Sequence, residues 1–134
     1  MTRPATLSDC LERIAGGVLQ DVAIPEFLDA FYGAMPFARA AMLTQEPRLS
    51  GDARLDALAA AIAEYLSKRY ALPVIPSWVG APGRILVEPW FTTTLVDDRM
   101  REYLAFSSPA EFRHRNIFTE ALPLRRASQA RMVR

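Results

Sequence analysis

Apolar residues recur every three or four positions over most of the chain, and the pattern breaks in one place. Leu7, Leu11, Ile14 and Val18 follow at spacings of four, three and four, which puts them on one face of a helix. Thr6 and Asp9 read as a capping box with aspartate in the third position. Gly16-Gly17 weakens this helix by about 1 kcal/mol per glycine relative to alanine, so an end is expected there. A second helix is expected to open at Pro25, because the first helical position does not need the N–H that proline lacks. Its apolar face is Ile24, Phe27, Leu28, Phe31, Tyr32 and Met35. Pro36 stops it or starts a short third helix with Phe37, Ala40, Ala41 and Leu43, which Pro47 closes. A fourth helix, capped by Ser50 or Asp52, carries the stripe Leu55, Leu58, Ala59, Ile62, Tyr65 and Leu66 to about Tyr70. Glu64 and Lys68 sit four apart on it in the favourable order.

The helical period stops at Ala71. From there to Asp97 the chain holds Pro73, Pro76, Pro82 and Pro89, with Gly80 and Gly83, and both tryptophans. Proline at this density blocks long helices and strand ladders. The stretch is nevertheless too apolar for a free linker. An ordered crossing segment is expected, pinned to the helices by Trp78, Trp90 and Phe91, with turns near Ser77 to Gly80 and an extended piece at Ile85 to Val87. Helical spacing returns with Met100, Tyr103 and Leu104. Ser108-Pro109-Ala110-Glu111 is a helix start signal, with Phe112 on the inner side, and Asn116 suits the left-handed residue that ends a helix. Thr119 and Glu120 are expected to open one more short helix through Leu122, interrupted at Pro123. The fold expected is all-α, a compact single-domain helical bundle over 1–134. Its parts are helices at 6–70, a Pro/Trp-rich irregular crossing segment at 71–97, short helices at 98–127 and a frayed tail at 128–134.

Composition narrows the function classes. Of 134 residues, 51% are hydrophobic and 23% charged, which excludes wholesale disorder. The net charge of +1 gives no global field toward nucleic acid or an anionic membrane. No uninterrupted apolar run approaches the roughly 20 residues that span a bilayer, and Met1 to Ser8 holds no secretory apolar run. The single Cys10 forms no internal disulfide, and no Cys/His cluster is present, so a cytoplasmic protein without metal or cofactor is expected.

Candidate chemistry is sparse. His114 lies between Arg113 and Arg115, which disfavour a proton or a cationic ligand, and it reads as an exposed helix-end histidine. Cys10, beside Asp9 and Glu12, reads as a buried, inert thiol. Asp97-Asp98 reads as a helix cap, and Asp52 with Asp56 has no histidine to complete a metal site. Neither Gly16-Gly17 nor Gly80-Ala81-Pro82-Gly83 has the phosphate-loop pattern, and no serine sits in a nucleophile elbow. An enzyme is therefore not expected. From Arg101 to Arg134 seven arginines meet three glutamates, and Arg113, Arg115, Arg125, Arg126, Arg131 and Arg134 suit phosphate and carboxylate alike. No helix-turn-helix with a basic recognition helix stands out in the first 70 residues.

Several strings occur together in a specific order. They are Phe27-Leu28-Asp29-Ala30-Phe31-Tyr32, Arg54-Leu55-Asp56-Ala57-Leu58, Arg69-Tyr70-Ala71-Leu72-Pro73, Pro76-Ser77-Trp78-Val79, Glu88-Pro89-Trp90-Phe91, and the run from Ser108 to Phe118. Their order and spacing resemble a group of small bacterial proteins, and C-terminal portions of some helix-turn-helix regulators. Genes for these lie beside nucleotidyltransferase-like toxins of the abortive-infection type. The resemblance covers about Glu26 to Ala127 and implies an antitoxin that binds and restrains a partner enzyme. The chain departs from the regulator-type relatives in showing no N-terminal DNA-binding domain. A DNA-binding regulator using the C-terminal arginines is the alternative. Hot-spot composition and the dense Pro/Trp segment give the expected partner contacts as Trp78, Trp90, Phe91, Arg113, Arg115 and Asn116.

Overall fold

The computed structural model describes residues 6–93 and 97–126. Helix α1 spans Leu7–Ala15 and starts where the Thr6 hydroxyl accepts the Asp9 N–H at 3.0 Å. It ends at the two glycines, Gly17 taking φ +112°, a conformation that side chains with a Cβ resist. Helix α2 spans Gln20–Gly33, so Pro25 lies inside it and not at its start. The missing N–H forfeits the bond to the Asp21 carbonyl, but Ala23 and Phe27, buried on either side of the proline, hold both turns against the core.

Helix α3, Pro36–Thr44, begins at its proline as expected. Its Arg39 reaches back to donate to the carbonyls of Phe31 at 3.0 Å and Tyr32 at 2.8 Å, in the last turn of α2, where carbonyls run short of helical N–H partners. Helix α4, Ala53–Arg69, is the centre of the fold. Asp52 caps it by accepting from the N–H groups of Arg54 and Leu55, while Ser50 turns to Asp56 at 2.8 Å. Ala57, Ala59, Ala60, Ala61 and Ala63 are all buried, and these small side chains let neighbours approach the helix from several sides. The core joins α1, α2, α3 and α4 through Leu7, Phe27, Phe31, Leu43, Ile62 and Leu66.

The chain then crosses α4 in two 3-10 turns, Ser77–Gly80 and Pro82–Arg84, the first where turns were expected. The extended piece falls at Trp90–Phe91 (β1) rather than at Ile85 to Val87. It pairs in parallel with Ile117–Phe118 (β2), Trp90 opposite Ile117 and Phe91 opposite Phe118. Between the strands lie α5, Asp98–Ser107, capped by Asp97, and the single turn α6, Ala110–Arg113. Ser108 does not cap α6: its hydroxyl accepts the Thr119 N–H at 2.8 Å and donates to the Leu104 carbonyl. That bond, with Ser107 donating to the Thr119 carbonyl at 3.0 Å, fixes Thr119 beside α6, and the helix expected to open there does not form. Asn116 takes φ +66° after α6, as its sequence position suggests.

The described architecture is all-α apart from this two-stranded sheet. Among the described residues no helix is long and apolar enough to cross a membrane. The tail expected at 128–134, with Arg131 and Arg134, lies outside the described residues.

Candidate interaction surface on the crossing segment

A proline-rich chain laid over a helix brings carbonyls into the interior without neighbouring N–H groups to satisfy them. Polar side chains join segment and body in both directions: Trp78 and Arg84 donate to carbonyls of the helical part, and Arg115 and Asn116 donate to carbonyls of the segment. The Trp78 indole N–H donates to the Leu43 carbonyl at 3.1 Å. Arg84 is fully buried with its guanidinium 4.9 Å from the centre of the Trp78 ring, and it donates to the carbonyls of Asp56 at 3.2 Å and Pro47 at 2.5 Å. Arg115, also buried, donates to Val79 O, Glu111 O and Glu64 Oε1, each at 2.7 Å. The Asn116 amide donates to the Leu86 carbonyl at 2.7 Å, and the Leu86 N–H donates to Arg115 O at 3.2 Å. The segment is therefore anchored at Trp78, Val79, Arg84, Leu86 and Trp90.

This placement divides the residues expected to meet a partner. Trp78 and Arg115 are enclosed and hold the segment down, so neither side chain is presented to a partner. Asn116 is half-buried with its amide committed to Leu86. Trp90 is half-buried and packs against the core, while Phe91, also half-buried, stacks on Phe118 with ring centres 5.0 Å apart. Arg113 is exposed. What reaches the surface from the middle of the segment is Ile85, 50% exposed, and Val87, 95% exposed.

Two arginines that sequence reasoning missed complete this region. Arg54, in the first turn of α4, lies 5.2 Å from the Trp90 ring centre, and Arg101, in the first turn of α5, lies 5.4 Å from the Phe91 ring centre. Both distances are within cation–π range. No local pattern points to either residue, because neither ring lies on the same element as its arginine. The apolar run Ile85-Leu86-Val87, expected as an extended piece, held the signal for Val87: alternate residues of an extended chain face opposite ways, so Val87 lies on the side opposite buried Leu86. On the Trp90 side a cleft of about 420 Å³ opens over Leu28, Ile62, Phe112 and Leu124.

Glu64 is the electrostatic hub beneath the segment. It accepts from Arg115, meets His114 Nε2 at 3.0 Å and pairs with Lys68 at 3.1 Å. Burial pushes its carboxyl up, but hydrogen bonds from Arg115, His114 and Lys68 outweigh that and hold it down at about 2. Cys10 is fully buried, and burial pushes its thiol up to about 11. Among the described residues no group of three or more His, Cys, Asp and Glu side chains could hold a metal ion. Of the C-terminal arginines, Arg126 grips Asp29 through two bonds of 3.0 and 3.1 Å and Arg115 is buried, while Arg113 and Arg125 are exposed.

Protein-family models, curated proteins and solved structures give no match. The surface has therefore to be read from its own chemistry: apolar residues and aromatic–arginine pairs on a stretch of chain held at closely spaced points.

Proposed function

We propose that this chain is a non-enzymatic protein-interaction module, an antitoxin that binds and restrains a nucleotidyltransferase-like toxin in the cytoplasm. The observation that carries the interaction reading is Val87, 95% exposed between the anchors at Leu86 and Trp90. An apolar side chain on free chain could turn inward, whereas one fixed between two hydrogen-bonded residues stays in water until a partner covers it. A surface held in advance also loses little conformational entropy on binding. Trp90, Phe91 and Arg113 supply the residue types that dominate interface energetics. The identity of the partner comes from the resemblance in the strings from Phe27 to Phe118. The DNA-binding alternative has less support, since Arg115 and Arg126 already bind Glu64 and Asp29.

Co-expression with the product of the adjacent open reading frame tests this. The wild-type chain is expected to co-purify with that product, and Val87→Asp is expected to abolish the complex while leaving Tm unchanged. A complex indifferent to Val87→Asp, or no complex at all, overturns the reading. A mobility-shift titration at two salt concentrations separates out the DNA alternative, which requires affinity to fall steeply with salt.

A further inference from the structure

We propose that the open edge of β1 docks an extended segment of the protein partner, and that this segment carries two consecutive acidic side chains, one for Arg54 and one for Arg101. The inference rests on the interaction reading above and adds the chemistry of the partner.

The strand register supplies the first argument. The N–H groups of Trp90 and Thr92 donate across the parallel pair to Asn116 O at 2.8 Å and Phe118 O at 3.1 Å. In such a pair the intervening residue points its N–H and C=O the other way. Phe91 therefore offers a donor and an acceptor along the free edge of β1, and nothing among the described residues takes them. The far side of β2 is covered: Ile117 is fully buried, and beyond the strand Ser107 and Ser108 bond to both backbone groups of Thr119. The small sheet can extend in one direction, beyond β1. An exposed strand edge of this kind is a template for an incoming strand.

Charge supplies the second argument. Successive residues of a strand face opposite sides of a sheet, so Trp90 and Phe91 hold Arg54 and Arg101 on opposite faces of the same edge. Both arginines are exposed, and neither joins an ion pair among the described residues. Arg13, Arg48 and Arg126 elsewhere on the surface are paired with Glu26, Glu12 and Asp29. In a strand added beside β1, adjacent side chains also alternate between faces. Two consecutive carboxylates would then meet one guanidinium each, and flanking β-branched residues would suit the extended backbone. A nucleic-acid strand fits less well. The cations are two separated points and not a track, so a continuous phosphate backbone finds no run of partners.

Panning a displayed library of random decapeptides against the full chain and against the double variant Arg54→Glu/Arg101→Glu tests the proposal. The wild type is expected to enrich β-branched peptides holding adjacent Asp or Glu residues. The double variant, with Tm unchanged, is expected to lose them by roughly tenfold or more in affinity and to enrich adjacent Lys or Arg instead. The proposal is overturned if no acidic pair is enriched, or if both proteins retain the same peptides. It is also overturned if oligothymidylate, and no peptide, binds in an Arg54- and Arg101-dependent way. A complex with the adjacent gene product that Val87→Asp breaks and the double variant leaves intact rejects this docking mode but keeps the interaction reading. Absence of any such complex rejects that reading, while the panning result still decides the docking mode.

Discussion

Arg115 Nη1 donates to Glu64 Oε1 across 2.7 Å and so ties the turn after α6 to the middle of α4. The same guanidinium donates to Val79 O from its other nitrogen, so helix, crossing segment and C-terminal turn meet at one side chain. Arg115→Met leaves the Glu64 carboxylate without its strongest partner and leaves a buried carbonyl unpaired. It is expected to cost about 3 kcal/mol, or roughly 10 °C in Tm for a chain of this size. Arg115→Lys is expected to recover less than half of this, because one ammonium cannot span Glu64 and Val79 together. Thermal unfolding followed by circular dichroism measures both.

The depressed Glu64 carboxyl makes stability depend on acid. Its folded value is about 2, below the roughly 4.5 of a free glutamate, so its contribution is complete above pH 4.5 and is lost as pH falls toward 2. A shift of this size corresponds to at most about 3 kcal/mol. Glu64→Gln is therefore expected to be less stable than wild type at pH 7 and to converge on it near pH 2. Urea unfolding at a series of pH values checks the convergence. Parallel curves across that range would remove Glu64 from the account.

Cys10 is expected to be silent while the protein is folded. It is fully buried, and burial raises its thiol to about 11, with Glu26 adding to the rise and Arg13 opposing it. A thiol-specific chromogenic reagent at pH 8 should label the native protein only at the rate at which it opens, and should label it at once in denaturant.

Trp78 separates a structural from a contacting tryptophan. Trp78→Phe removes the bond to the Leu43 carbonyl and is expected to cost about 1–2 kcal/mol in stability. Because the ring is enclosed, affinity for the partner should be unchanged in the folded variant, as titration calorimetry would show. A large loss of affinity without loss of stability would return Trp78 to the contact surface.

These elements show what was legible in the sequence. The stripe of α4, its Asp52 cap, the Gly16-Gly17 stop and the left-handed Asn116 are local features, decided within a turn or two, and they stand where the pattern put them. Pro25 misled because a proline is tolerated inside a helix when its neighbours are buried, and burial depends on the other helices. Ser108 carried a capping signal, but its hydroxyl serves Thr119, a residue distant in sequence. Strand pairing at Trp90 and Phe91 depends on Ile117 and Phe118, and the cation–π contacts of Arg54 and Arg101 depend on where α4 and α5 are carried by the rest of the chain. Of the six expected contact residues, Trp78 and Arg115 had the right composition for an interface. Composition alone does not distinguish a buried anchor from an exposed one.

Hydrogen exchange on the chain alone and bound to the adjacent gene product tests most directly whether the crossing segment meets the partner. The account predicts new protection over residues 85–93 in the complex, greatest at the Phe91 amide, which has no acceptor among the described residues. A complex whose protection falls on other elements, with 85–93 exchanging as in the free chain, would contradict it.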